Sequence, residues 1–288
     1  MRKIKEFIIE NLIFLCGIAS IIFVVLILLF LLKEGLSLFK YVSFGDFVSG
    51  RKWYPISEPP ILGILPLILG SVVVTIGAAI ISVPIGVACA IYIAEVAPAK
   101  IKDILKAGIE LLAAIPSVVL GFIGMVTLVP LVKSIFHLPT GLTALSGSIM
   151  LAFMAMPTIV SIAEDALYSV PKSYKEGALA LGATQWQTIW RVLLPAASPG
   201  ILAAVMLGVG RVVGETMAVM MITGNAASIP NGFLQPVRTM TATIAAEMGE
   251  SVVGSEHYFA LFAIGLILFI ISFGINLTAD LFLHRKRI

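Results

Sequence analysis

The chain has 288 residues, of which 59% are hydrophobic and 12% charged, with a formal net charge of +3. Soluble globular domains carry about 25% charged residues, so this balance, with a mean hydropathy of +1.08, excludes an ordinary water-soluble domain. It also excludes nucleic-acid binding through a basic stripe, because the small positive excess is spread along the chain.

Crossing a hydrocarbon core of about 30 Å takes about 20 helical residues. Leu12 to Leu32 meets that length without a charge. Arg2, Lys3 and Lys5 precede it, as in a signal peptide. The run is longer than a signal-peptide core, however, and no small-x-small cleavage site follows, so an uncleaved first helix is expected. The segment from Lys33 to Pro60, with Trp53, Tyr54 and three prolines, reads as a partly interfacial loop. An uncharged stretch then runs from Pro59 to Ala94, where Pro66 and Pro84 kink the helix or mark its ends. Further spans are expected at Leu111 to Val132, Gly141 to Ala163, Ala197 to Thr223 and Tyr258 to Ala279. The fold class is therefore all-α and polytopic, with about six transmembrane helices. Between the last two spans, Pro230-Asn231-Gly232 signals a turn, and the apolar stretches around it are candidates to dip back into the protein.

Lysine and arginine set the orientation. With the N-terminus inside, the cytoplasmic segments hold twelve of them, the outer segments hold six, and Arg211 alone lies within a span. This asymmetry places both termini in the cytoplasm of a multi-pass inner-membrane protein. Cys16 and Cys89 lie in apolar runs and form no ligand cluster. His137, His257 and His284 lack metal spacing, so neither a metal nor a cofactor is expected.

The segment Val170 to Pro195 then falls on the cytoplasmic side. Pro171 opens it, and Ser173 to Glu176 has capping-box spacing. Gly182 interrupts the helical pattern, and Thr184 to Gln187 repeats the capping-box spacing before Pro195 starts the next span. Two short helices joined at a glycine are expected, an element suited to docking in a partner's groove. The competing reading is a pair of interfacial helices anchored by Trp186 and Trp190.

In the fifth span, Arg211 and Glu215 are four residues apart, so a continuous helix would put them on one face. An arginine at a helix centre costs about 2.5–3.5 kcal/mol on insertion scales, which implies a polar interior or a pore-facing surface. Its planar fork suits an anion, with Glu215 holding the fork in place. A pair that only fixes helix packing is the alternative. Met217, Met220 and Met221 read as ordinary packing. No Gly-Lys dipeptide occurs, so the phosphate-cradling loop of ATPases is missing and any ATP chemistry belongs to a partner.

Two sets of residues carry a resemblance. Glu176-Gly177-Ala178, then Gly182, then Val192-Leu193-Leu194-Pro195, resembles the EAA loop of ABC importer permeases, with Gly177 in place of the first alanine and Val192 in place of isoleucine. In that family the loop is the coupling helix that sits in a cleft of the ATPase subunit. Arg211-Val-Val-Gly-Glu215-Thr216-Met217 running on to Asn225, together with Ile115 to Phe122 and Met240 to Ala245, is similar to the PstC-type permeases of phosphate importers. The resemblance covers the chain from about Leu65 onward. It implies a first helix with an outer loop over 1–62, a type I permease core over 63–283 that includes the coupling loop 170–195, and a basic cytoplasmic tail over 284–288. It further implies no enzymatic activity of the chain's own, inorganic phosphate as substrate, and Arg211, Glu215 and Thr216 on the substrate path. The implied partners are a PstA-like second permease, a PstB-like ATPase dimer, a PstS-like extracytoplasmic binding protein and membrane lipid. Permeation of sulfate or molybdate, or transport driven by an ion gradient, are the alternatives.

Overall fold

The computed structural model describes residues 2–285, with side-chain surroundings for 9–278. The side chains of Arg2, Lys3 and Lys5 and the expected basic tail, 284–288, therefore lie outside the described surroundings. Twelve α-helices and a two-stranded hairpin are formed among the described residues. Six helical segments are long and apolar enough to cross a membrane.

The first, α1 (Arg2–Ser37), is apolar on every side from Leu12 to Leu32 and largely exposed from Ile9 to Phe30, as suits a helix whose surroundings are lipid. Near its end it meets α12 (Glu256–Arg285). There Phe30 packs edge-on to Phe262 at 5.3 Å, and Gly35 lies against the backbone of Ala263. The second, α3 (Leu65–Ile91), starts with Pro66 in its first turn and carries Pro84 inside, so the two prolines divide the roles expected of them. It continues into a wider π-helical turn, Tyr92–Val96.

The centre of the molecule is the packing of α3, α6 (Ala144–Tyr168) and α9 (Leu194–Gly214). Val74, Ala78, Leu151, Ala152, Ala155, Ile159 and Val212 form one buried cluster. Helices in lipid gain no hydrophobic effect from associating and rely on close approach instead. Ile159 shows this directly. It is fully buried between Gly86 and Gly208, where a Cβ would come within 2.8 and 2.4 Å of its side chain.

Three expectations are corrected. The third span does not begin at Leu111: Ile115 is extended before Pro116, and the chain breaks there into α4 (Ala99–Ala114) and α5 (Ser117–Ile135). Proline's ring disfavours helical backbone at the residue before it, which is why the apolar run splits. In α4, Lys102 lies 3.9 Å from the Tyr168 ring centre, and Lys106 lies 3.6 Å from the buried Glu164. The fifth span likewise ends at Gly214, and α10 (Met217–Ile222) follows as a separate turn and a half.

The segment after α1 is also not a plain loop. It forms α2 (Phe44–Ser49) and the hairpin β1 (Trp53–Tyr54) with β2 (Ile61–Leu62), paired antiparallel. Trp53 is 2% exposed and donates its indole N–H to Glu247. Glu247 ends α11 (Met240–Glu247), pairs with Arg238, and lies 2.9 Å from His257 Nε2. This carboxylate ties the hairpin, α11 and the start of α12 into one cap. The stretch expected to dip back does so: Val237, Met240, Ala242 and Thr243 are buried, and Met240 N–H donates to Ser71 of α3 at 3.0 Å.

Candidate functional site

At the end of the bundle opposite that cap lies α7 (Lys172–Ala180), none of whose residues is buried. Its termination is well defined. Gly182 has φ +82, Ala183 N–H donates to the Ala178 carbonyl at 3.1 Å, and Gly182 N–H donates to that of Leu179 at 2.9 Å. That pattern is a Schellman ending, and only a residue without a Cβ takes it without strain. Thr184 then opens α8 (Gln185–Thr188), and its capping box with Gln187 is complete in both directions. The one expected at Ser173 is not made. The helix starts two residues earlier, after Pro171, and no side chain caps it.

From α8 the chain runs through a π-helical turn, Ile189–Leu193, directly into α9. Leu193 and Ile189 are buried with Ile91, Leu167 and Ala197, and Leu194 packs on this cluster. Val192 is half-buried beside it, and Pro195 is the second residue of α9, where the wider π-helical turn gives way to the α-helix. On the polar side, Lys175 Nζ pairs with Glu95 Oε2 at 2.5 Å, and Gln185 Nε2 donates to the Glu95 carbonyl at 3.0 Å. Glu95 lies in the π-helical turn that ends α3. The loop is thus bolted to two spans, by apolar packing to α9 and by Glu95 to α3. Glu176, Gly177 and Ala178 remain on its outer surface.

Gly177 has nothing within 4 Å of where a Cβ would stand. Replacing it with alanine is therefore expected to stabilise α7 by about 0.5–1 kcal/mol, measured as a rise in the melting temperature of the purified protein. A lowered value would mean that another backbone approaches this position closely.

Inside the bundle, the two charged residues of the fifth span are not brought together. Glu215 is extended (φ −71, ψ 134) beyond the last turn of α9, so the four-residue spacing no longer keeps it on the arginine's face. Its Oε1 accepts the N–H of Ala218 at 3.3 Å, closing the first turn of α10. Its carbonyl accepts from Thr241 Oγ1 at 2.8 Å, and the Thr216 hydroxyl donates to the Gly214 carbonyl at 3.2 Å. Glu215 and Thr216 therefore build the corner that joins α9 to the returning α10 and α11. They do not hold the guanidinium.

Arg211 faces elsewhere. Its Nη1 donates to Thr158 Oγ1 of α6 at 3.5 Å, and no ion pair engages it among the described residues. It lines a cavity of about 220 Å³ between α9 and α12, with Leu207, Gly210 and Val213 on one side and Ser272, Ile275 and Asn276 on the other. Thr158, Ser272 and Asn276 were not singled out from sequence, although polar residues in otherwise apolar spans were the available signal. A largely unused guanidinium in a cavity between spans can accept an oxyanion in bidentate fashion. Among the described residues no His, Cys, Asp and Glu cluster could hold a metal ion.

Known proteins resemble the chain in sequence and in fold. Residues 82–288 match the model of the family described as "Binding-protein-dependent transport system inner membrane component". The chain is 44% identical to the probable ABC transporter permease protein YqgH of Bacillus subtilis, covering 90% of this chain and 84% of the relative. It is 37% identical to the phosphate transport system permease protein PstC of Mesorhizobium japonicum, covering 84% and 80%. A bacterial alginate ABC importer matches the fold with a TM-score of 0.65 at 17% identity over the full length of both chains. The MetNI methionine transporter in an inward-facing conformation gives 0.61 at 20% identity, covering 80% and 99%. The chain is thus an integral membrane protein that belongs to the binding-protein-dependent transport system inner membrane component family and shares the fold of ABC importer permeases.

Proposed function

We propose that this chain is one of the two permease subunits of an ATP-driven importer of inorganic phosphate. Both termini and the α7–α8 loop would lie in the cytoplasm, and residues 63–283 would form the permease core. A PstA-like permease completes the pathway, a PstB-like ATPase dimer supplies the energy, and a PstS-like binding protein delivers phosphate from outside. The observation that carries the reading is the Arg211 guanidinium, with one long hydrogen bond and no ion pair among the described residues, lining a cavity between spans. Relatives whose printed names specify phosphate transport, at 33–37% identity, support the choice of anion.

Closure of the ATPase dimer on ATP would move α7. Because Glu95 and the Leu193 cluster bolt the loop to α3 and α9, that movement would reach both spans together. The corner at Glu215 and Thr216 would let α10 and α11 shift against α9, and Arg211 would offer the anion a transient stop.

The test is uptake of labelled phosphate by the reconstituted complex, with ATP inside the vesicles and sulfate or molybdate as competitors. ATP-dependent uptake resistant to both competitors is expected. Efficient competition by either would reassign the substrate, and uptake that persists without ATP would remove the ATPase from the mechanism.

A further inference from the structure

We infer that Ser272 and Asn276 of α12 are substrate-contacting residues that complete the oxyanion stop with Arg211. This rests on the reading of Arg211 as an anion site and extends it to a second span. The two residues are four apart on an uninterrupted helix, so they share one face, and both line the cavity that Arg211 lines. Neither makes a hydrogen bond to any described residue. Ser272 is half-buried and Asn276 exposed within a span whose neighbouring residues are Phe269, Ile270, Ile271, Phe273 and Ile275.

Unpaired polar side chains in a span are costly against hydrocarbon. Serine and asparagine that packed only for shape would either turn to a backbone carbonyl, as Thr278 does to Gly274 and Ile275, or face a partner side chain. Their donors, free among the described residues, instead share a cavity with a guanidinium that uses one of its five N–H groups there. A tetrahedral oxyanion presents several acceptor oxygens in different directions. A planar guanidinium serves two of them on one side, and a hydroxyl and a carboxamide from the facing helix serve others. Among the described residues that line the cavity, the set is one cation with neutral donors, which suits an anion that must bind briefly and leave.

The experiment uses the full assembled importer in vesicles, with phosphate as the probe. S272A removes one donor with almost no change of shape, and N276D replaces a donor by a carboxylate of equal size facing Arg211. Phosphate uptake is expected to fall several-fold in S272A and at least a hundredfold in N276D, with N276Q retaining more activity than N276D. Half-saturation by the loaded binding protein and co-purification of all subunits should be unchanged. Parental uptake in N276D, with R211Q inactive, would overturn this assignment alone. Parental uptake in R211Q would overturn the anion site on which it rests. Loss of subunit co-purification in N276D and N276Q alike would place Asn276 at a subunit interface and equally overturn the assignment.

Discussion

Replacing Arg211 with glutamine is expected to lower phosphate uptake at least a hundredfold while the importer still assembles. A hydrogen bond to a charged group is worth about 1.5–3 kcal/mol, and a bidentate contact comprises two. Their sum, about 3–6 kcal/mol, exceeds the roughly 2.8 kcal/mol that corresponds to a hundredfold change, since about 1.4 kcal/mol is tenfold. Assembly should survive because the fold asks little of this side chain. The Thr158 contact is long, at 3.5 Å, and Glu215 is already engaged with Ala218, so removing the cation strands no carboxylate among the described residues. Had the two residues formed a pair within the span, breaking it would have left an uncompensated charge and destabilised the protein. The measurements are ATP-dependent uptake in vesicles and subunit co-purification from the same preparation. Normal uptake would refute the anion site, whereas loss of assembly would return Arg211 to a structural role.

The spans were legible because a lipid-crossing helix needs one long apolar run and little else, and six such runs occur. What broke those runs was less visible. Ile115-Pro116 is a local signal and would have placed the start of α5 correctly had the proline rule been weighed against the continuing apolar pattern. The corner after Gly214 is harder. Its stability comes from Thr241, 26 residues away, reaching the Glu215 carbonyl, and no local spacing encodes that. The α7–α8 loop was read well because capping and glycine termination are local, and even the missing cap at Ser173 shifts the helix start by less than a turn. Its anchoring through Lys175 and Gln185 to Glu95 spans 80 and 90 residues and emerges only in the folded chain. The same holds for Trp53 and Glu247, 194 residues apart. Arg211 stood out as an isolated charge. Ser272 and Asn276 were equally visible as letters but gained meaning only when α12 was found to pack against α9.

The second large effect is expected from Glu176. Reversing its charge with lysine should sever ATP hydrolysis from transport, with the ATPase lost from the purified complex or retained in much lower amount. The geometry separates the loop's charges by task. Lys175 is committed inward to Glu95, while the neighbouring Glu176 is exposed and pairs with no described residue. An acidic side chain left free on a rigid, well-terminated helix suits a complementary partner surface. Truncating one member of a buried interfacial charge pair costs about 2–5 kcal/mol, so reversal should weaken docking by roughly thirtyfold or more. The protein's own stability should not change, because α7 has no buried residue. The sign of the effect separates the two readings of this loop. If Trp186 and Trp190, each 61% exposed, only anchored the segment to an anionic membrane surface, an added lysine would strengthen binding by about 1 kcal/mol and leave the ATPase in place. An E176K complex that retains its ATPase and transports at parental rate would therefore sink the coupling role. If E176K loses the ATPase while its melting temperature is unchanged, the defect lies at the docking face itself, since the permease fold beneath it is intact.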